Sequence, residues 1–310
     1  MRHETCWARG VLIPYVHIKD LHVGPLALHP FGILVAAGVL VGVALATRRA
    51  KHVGVDATML QSFVTWMLVA GFVGGHVLDA VFYHPAEVVA RPWSLLFLWE
   101  GLSSFGGFIG AFVGVLLWKF YELKPVFRVG SALTLSLPTR RATPVSILPF
   151  CDLILAVFPV AWAFGRTGCS VVHDHPGARA PMKSILAVAY GEGPSAVYGF
   201  LELRHGAAPR YDLGFLELLF TLVLAAAFAL TWRRRLPVGT YVVATALAYA
   251  PVRFGLDFLR VEDGAGGDPR YGSLTPAQWA CLALFAIGVG LWRHLRVASN
   301  RNAPEEHALN

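Results

Sequence analysis

Seven apolar blocks, each close to the length of a bilayer-crossing helix, leave this chain few folds other than a helical membrane protein. They run over about 30–47, 60–82, 101–121, 148–165, 212–232, 238–258 and 273–292. A helix needs roughly 20 apolar residues to cross the hydrocarbon, and backbone polar groups at that depth must be satisfied within the span, which excludes irregular chain there. Composition agrees, since 56% of the residues are hydrophobic and only 15% are charged, against about 25% charged in soluble domains. The expected fold class is an all-α integral membrane protein of about seven transmembrane helices, in one polytopic domain over 1–310. The segment 166–211 is expected to form a small extracytoplasmic cap, with SILAVAYG in it as a strand or an amphipathic piece.

The formal charge of +7 suggests nucleic-acid binding only until the positions of the basic residues are considered. Arg48, Arg49 and Lys51 follow the first block, and Lys119, Lys124, Arg128, Arg140 and Arg141 follow the third. Arg233, Arg234 and Arg235 follow the fifth, and Arg293, Arg296 and Arg301 the seventh. With seven spans these loops fall on one side. The positive-inside rule makes that side cytoplasmic, with the N-terminus outside and the C-terminus inside. No nucleic-acid partner is expected. The first 28 residues lack the uninterrupted apolar stretch of a cleavable signal, so the first helix is expected to direct insertion. Cys6, Cys151, Cys169 and Cys281 show no CxxC or finger spacing, and no disulfide framework is expected.

Within this apolar background the charged residues mark a site. Arg253 lies in YVVATALAYAPVRFGLDFLR, with Asp257 four residues later and Arg260 at the end. A guanidinium at bilayer depth costs from ~3 to more than ~10 kcal/mol, so it faces a polar cavity or an anionic partner. The spacing of Arg253 and Asp257 stacks guanidinium and carboxylate on one helix face. A structural ion pair, or an arginine snorkelling to the interface, is the alternative.

Two further segments carry signals. In FGRTGCSVVHDHPG, Arg166 stands between Gly165 and Gly168 where the fourth block is expected to leave the membrane, followed by His173, Asp174, His175 and the turn at Pro176 and Gly177. The planar guanidinium fork matches phosphate oxygens. The H-D-H triplet offers no third-ligand pattern, and its i and i+2 positions share no helix face, so neither metal nor cofactor is expected there. A headgroup or substrate contact and an ordinary solvated loop remain open. In SSFGGFIGA, Gly106 and Gly107 at a helix start can present backbone N–H groups to an anion. Gly38/Gly42, Gly71/Gly75 and Gly106/Gly110/Gly114 recur at i+4 and read as close helix packing.

Taken in order, LIPY with GPLALHPFG, GGHVLDAVFYHP, WEGLSSFGGFIGA, FGRTGC with HDHPG, LGFLELLF, VRFGLDFLR and YGSLTPAQW resemble the prolipoprotein diacylglyceryl transferase family over nearly the whole chain. The resemblance implies transfer of the diacylglyceryl group of phosphatidylglycerol to the lipobox cysteine in the signal peptide of a prolipoprotein, in the inner membrane. It makes phosphatidylglycerol, the prolipoprotein and the bilayer the partners. Arg253, Asp257 and Arg260 match an arginine, a glutamate and an arginine of the family, while Arg166 and Gly177 keep their places. Departures are Phe105 where the family has histidine, Cys169 for asparagine, Asp174 for glutamate and Phe31 for tyrosine.

From the chemistry itself, joining a glyceryl carbon to a thiol needs a thiolate, a held phosphate and stabilisation of the charge that grows on the leaving glycerol phosphate. The expected catalytic residues are Arg253, Asp257, Asp174 and His173. Arg166, Arg253, Arg260, Gly177, Gly106 and Gly107 are expected to bind phosphatidylglycerol. His173 or His175 is a candidate base, and the cationic field alone is the alternative. The altered family positions also allow a degenerate relative that binds anionic lipid or lipoprotein without transfer. A small transporter is a weaker reading, since no inverted repeat or broken-helix pair supports it. A reporter fused after Arg235 should read cytoplasmic and one inserted near Gly266 should read outside; the same sidedness for both would refute the seven-span topology.

Overall fold

The computed structural model describes residues 13–24, 26–97, 101–129, 133–261 and 270–301. Three short strands, β1 (Tyr15–Ile18), β2 (Leu21–Val23) and β3 (Leu26–Leu28), precede helix α1 (Pro30–Val53). Then come α2 (Ala57–Tyr83), the short α3 (Pro85–Ala90), α4 (Ser104–Phe120), strands β4 (Tyr121–Val129) and β5 (Leu133–Arg140), and α5 (Leu148–Val172). Strands β6 (Pro176–Arg179), β7 (Ala187–Tyr190), β8 (Ser195–Tyr198), β9 (Leu201–Arg204) and β10 (Ala208–Asp212) lead into α6 (Leu213–Leu230), α7 (Thr240–Leu256) and α8 (Pro276–Arg301).

Among the described residues, α1, α2, α5, α6, α7 and α8 are long and apolar enough to cross a membrane, and α4 is a shorter apolar helix. The protein is a mostly helical, multi-pass membrane protein. The block expected over 101–121 is trimmed at both ends. Ser103 caps α4 by accepting from the Gly106 amide, and Tyr121 is already extended. Seventeen residues give α4 about 26 Å of length, slightly less than the hydrocarbon thickness.

The chain forms two compact units, residues 47–153 and residues 1–46 together with 154–310. In the first, α2 and α4 pack through glycines. A Cβ on Gly74 would meet Gly110 Cα at 2.6 Å and Gly106 O at 2.9 Å, so the two backbones touch. This is the small-residue packing that lets membrane helices approach closely. Phe63, Trp118 and Phe150 fill the same unit's interior, with the Trp118 indole donating to Ser62 Oγ at 3.1 Å. The basic segment after α4 is the antiparallel hairpin β4–β5, in which Arg141 pairs with Glu122 at 3.2 Å.

In the other unit, α5 differs from the sequence reading. It continues seven residues past the expected end at 165, so Arg166 lies inside the helix and not where the chain leaves the span. Gly165 and Gly168 both lie within it, and the second serves a close contact. A Cβ on Gly168 would meet Phe31 Cδ2 of α1 at 2.9 Å. The helix ends at His173, whose φ of 54° is left-handed. Beyond it the segment expected to be a cap is built of strands, in the sheets β6-β10-β7 and β1-β9-β8, and SILAVAYG contains β7.

Two helix starts are capped by side chains, the first at the end of β10. Asp212 caps α6, its Oδ1 accepting from the Phe215 amide at 2.9 Å. Thr275 and Gln278 form a reciprocal capping box at α8, Gln278 N donating to Thr275 Oγ1 and Thr275 N to Gln278 Oε1. Gly110→Leu should destabilise the α2–α4 pair by about 1–3 kcal/mol through overpacking, whereas Gly290→Ala, which faces open space, should not. Thermal unfolding in detergent would show it; equal melting temperatures would remove glycine contact as the basis of that pair.

Candidate functional site

The charged residues of α5, α6 and α7 converge on Glu217. On α5, Trp162, Arg166 and Cys169 follow at helical spacing, so one face presents indole, guanidinium and thiol. The guanidinium carbon of Arg166 lies 4.4 Å from the centre of the Trp162 ring, a cation–π arrangement that fixes its plane. Arg166 Nε stands 3.1 Å from Glu217 Oε1 as an ion pair, without the alignment of a hydrogen bond. Trp162 Nε1 donates to the same oxygen at 3.1 Å, and the Tyr249 hydroxyl of α7 donates to it at 2.6 Å. The other carboxylate oxygen faces Arg253 Nε at 4.0 Å. The Glu217 side chain is 2% exposed, so these partners replace its water.

Asp257 continues the chain of charges. Its Oδ1 takes Arg253 Nη2 at 3.0 Å and Arg260 Nε at 3.3 Å, and its Oδ2 accepts from Thr275 Oγ1. That threonine belongs to the capping box of α8, so the start of one helix holds the acid at the end of another. Gln278 Nε2 adds a bond to the Phe254 carbonyl at 3.2 Å. Arg166, Arg253 and Arg260 thus surround two carboxylates, Glu217 and Asp257, and among the described residues this cluster carries one positive charge in excess. A buried cluster with such an excess suits an anion better than a cation.

Gly177 and Arg260 meet through backbone. They form an isolated antiparallel bridge, and Arg210 Nη1 donates to the Gly177 carbonyl at 3.0 Å. A Cβ at Gly177 would meet Tyr211 O at 2.7 Å and Leu259 O at 3.0 Å, so glycine is required by the close approach of three segments.

His173 is placed differently from a free base. Its Nδ1 lies 2.6 Å from Asp212 Oδ2 and its Nε2 lies 3.0 Å from the Val16 carbonyl. Both ring nitrogens are thus engaged within the structure, Nδ1 also lying 3.3 Å from the Tyr190 hydroxyl. Tyr15 stacks on the ring with centroids 3.7 Å apart, and the Tyr190 hydroxyl donates to Asp212 Oδ2 at 2.8 Å. Burial, reinforced by the Asp212 carboxylate, holds the Tyr190 phenol well above its ordinary range, so it remains a donor. Asp174 and His175 are more exposed and lie together, His175 Nδ1 being 2.8 Å from Asp174 Oδ1. With Cys169 they form a group whose potential ligand atoms all lie within 4.8 Å of one another.

Arg166, Arg253, Asp257, Arg260 and Gly177 are therefore linked, while His173 belongs to a strap of strands. Gly106 and Gly107 lie in the other unit, and the amides expected to meet an anion are taken up by Ser103, through its Oγ at 3.3 Å and its carbonyl at 2.9 Å. Trp99 and Glu100 lie outside the described residues. Sequence reasoning passed over Glu217, Trp162, Tyr249, Thr275 and Asp212. Glu217 had a readable signal, for a lone carboxylate in LGFLELLF is as costly at bilayer depth as Arg253 is. Glu217→Gln should strand two buried guanidiniums and destabilise the fold by about 3–5 kcal/mol, read as thermal unfolding in detergent; an unchanged midpoint would show that Glu217 does not hold them.

The family model described as prolipoprotein diacylglyceryl transferase matches residues 20–142 and 128–294. Curated proteins named phosphatidylglycerol–prolipoprotein diacylglyceryl transferase are similar over nearly their whole length. The one from Nitratidesulfovibrio vulgaris is 28% identical over 297 residues, covering 94% of this chain and 97% of that protein. One from Pseudomonas aeruginosa is 26% identical over 298 residues, with 94% and 98% covered. One from Agrobacterium fabrum is 26% identical over 299 residues, with 93% and 95% covered.

Proposed function

Because the chain belongs to the prolipoprotein diacylglyceryl transferase family, we propose that it moves the diacylglyceryl group of phosphatidylglycerol onto the lipobox cysteine of a prolipoprotein. The observation that carries the reading is the buried cluster in which Arg166 and Arg253 share Glu217 and keep a positive excess. The relatives' names supply the two substrates, and the helices supply the bilayer setting. We place the protein in the inner membrane as one polytopic domain, with its N-terminus outside, its C-terminus cytoplasmic and the strands of 166–211 outside.

In the reaction the cysteine sulfur attacks the glyceryl carbon that carries the phosphate ester. The C–S bond forms and the C–O bond breaks. Its electron pair leaves on the oxygen of glycerol phosphate, and the thiol proton is released. Arg166 and Arg253 hold the phosphate and stabilise the charge that accumulates as the ester breaks, where fixed guanidiniums in a dry site act most strongly. Asp257, itself held by Thr275, orients Arg253 and Arg260, and Gly177 lets the loop backbone close on Arg260. Asp174 faces the headgroup or lipobox side. His173, with both nitrogens engaged, positions the strap and does not remove the proton.

Purified protein in phosphatidylglycerol vesicles should convert a lipobox peptide to its thioether, seen as the added diacylglyceryl mass. Arg166→Ala should lose a phosphate contact worth about 1.5–3 kcal/mol, or roughly 10- to 150-fold in rate, while still inserting. Arg166→Lys should recover only part of it, because a point charge does not reproduce the fork. Vesicle binding without conversion by the intact protein would favour the degenerate lipid binder, and full activity in Arg166→Ala would remove this residue from the site.

A further inference from the structure

We propose that Cys169, Asp174 and His175 form a three-ligand site for a zinc-class divalent ion whose open position takes the incoming lipobox thiol. The second half of this rests on the transferase reading; the first half does not. Each residue offers one ligand atom, and the three lie within 4.8 Å of one another. A tetrahedral ion with bonds of 2.0–2.3 Å holds its ligand atoms about 3.5 Å apart, so a small closure of the two loop side chains seats it. One thiolate, one carboxylate and one imidazole are ligands that zinc accepts, and three protein ligands with a vacant fourth position describe a catalytic rather than a structural zinc site.

The surroundings match that chemistry. Cys169 is buried on α5 and held from behind, since a Cβ on Gly214 of α6 would meet Cys169 Cβ at 2.9 Å. Asp174 and His175 are 40% and 26% exposed in their side chains, which leaves the ion approachable from their side. His175 Nδ1 is buried and, although near Asp174, makes no aligned hydrogen bond, so its lone pair has no donor to answer. Arg166 Nη1 lies 3.7 Å from Cys169 Sγ and donates to it, the outer contact that steadies a metal-bound thiolate. Thiolate and carboxylate together balance the ion's charge, so the neighbouring guanidinium is not left facing an uncompensated dication.

The site answers a need that the arginine cluster leaves open. Both ring nitrogens of His173 are engaged, with Asp212 and the Val16 carbonyl. A thiol bound to a zinc-class ion is deprotonated outright. Its proton passes to water, the metal-bound sulfur attacks the glyceryl carbon, the C–S bond forms, and the C–O pair departs on glycerol phosphate. The product thioether has no charge and is a weak ligand, so it leaves the ion. No oxidant or reductant is involved.

The test uses full-length protein in detergent, stripped with a chelator and titrated with cobalt. Stoichiometric cobalt should raise a thiolate-to-metal charge-transfer band in the near ultraviolet, which Cys169→Ser abolishes and Cys281→Ser retains. Stripped protein should lose lipobox-peptide conversion at least tenfold, and zinc should restore it. Absence of stoichiometric cobalt, or a band that survives Cys169→Ser, overturns the site. Full conversion by stripped, metal-free protein overturns the proposal and leaves the transferase reading intact. Cobalt bound through Cys169 with no conversion in the zinc-loaded protein keeps the metal site and overturns thiol activation together with that reading.

Discussion

The carboxylate of Glu217 is what allows two arginines to exist at the centre of this bundle. Either guanidinium alone at that depth would cost several kcal/mol. Placed around one buried acid they compensate it from two helices, with indole and phenol hydrogens completing its shell. The arrangement is asymmetric in a useful way. Glu217 and Asp257 are acceptors only, so two carboxylates leave the three guanidiniums with one positive charge in excess. A single carboxylate between two cations also spaces them, and a phosphate that shares them is met by preset charges without needing to gather them.

This dependence explains why the helix starts matter as much as the charged residues. Asp257 is fixed by Thr275, which is fixed in turn by Gln278 at the start of α8. Asp212 caps α6 and clamps His173 and Tyr190, joining the strand layer to the helix that carries Glu217. The groups that would touch substrate thus stand on groups whose first duty is to satisfy the free amides of helix ends.

How much of this was legible follows from the same physics. The spans were readable because an apolar stretch of bilayer length has almost one conformation available. Arg253, Asp257 and Arg166 were readable because charge in such a stretch is expensive. The extension of α5 was not, since Gly168 is kept for contact with Phe31 while Gly165 faces open space, and nothing in the sequence distinguishes such glycines from breaking ones. SILAVAYG reads as a strand or an amphipathic piece and contains β7, but the sheet β1-β9-β8 was hidden because β1 lies more than 150 residues from its partner. Long-range pairing leaves no local period. Gly106 and Gly107 show the same ambiguity, for a glycine pair at a helix start has the same appearance whether its amides are offered to an anion or, as here, taken by the preceding serine.

The least legible feature was the role of Cys169. In the sequence it is one thiol in an apolar run, and helical spacing would pair it with His173, four residues later, and not with His175. The left-handed residue at the end of α5 changes that relation. At His173 the chain reverses direction, so His173 is turned toward the strand layer while Asp174 and His175 fold back toward the last turn of the helix. Two histidines that look equivalent in HDH therefore acquire opposite duties. One has both nitrogens spent on structure, and the other has a nitrogen facing a thiol and a carboxylate. A single backbone angle, adopted because the helix must end there, separates the scaffold from the chemistry.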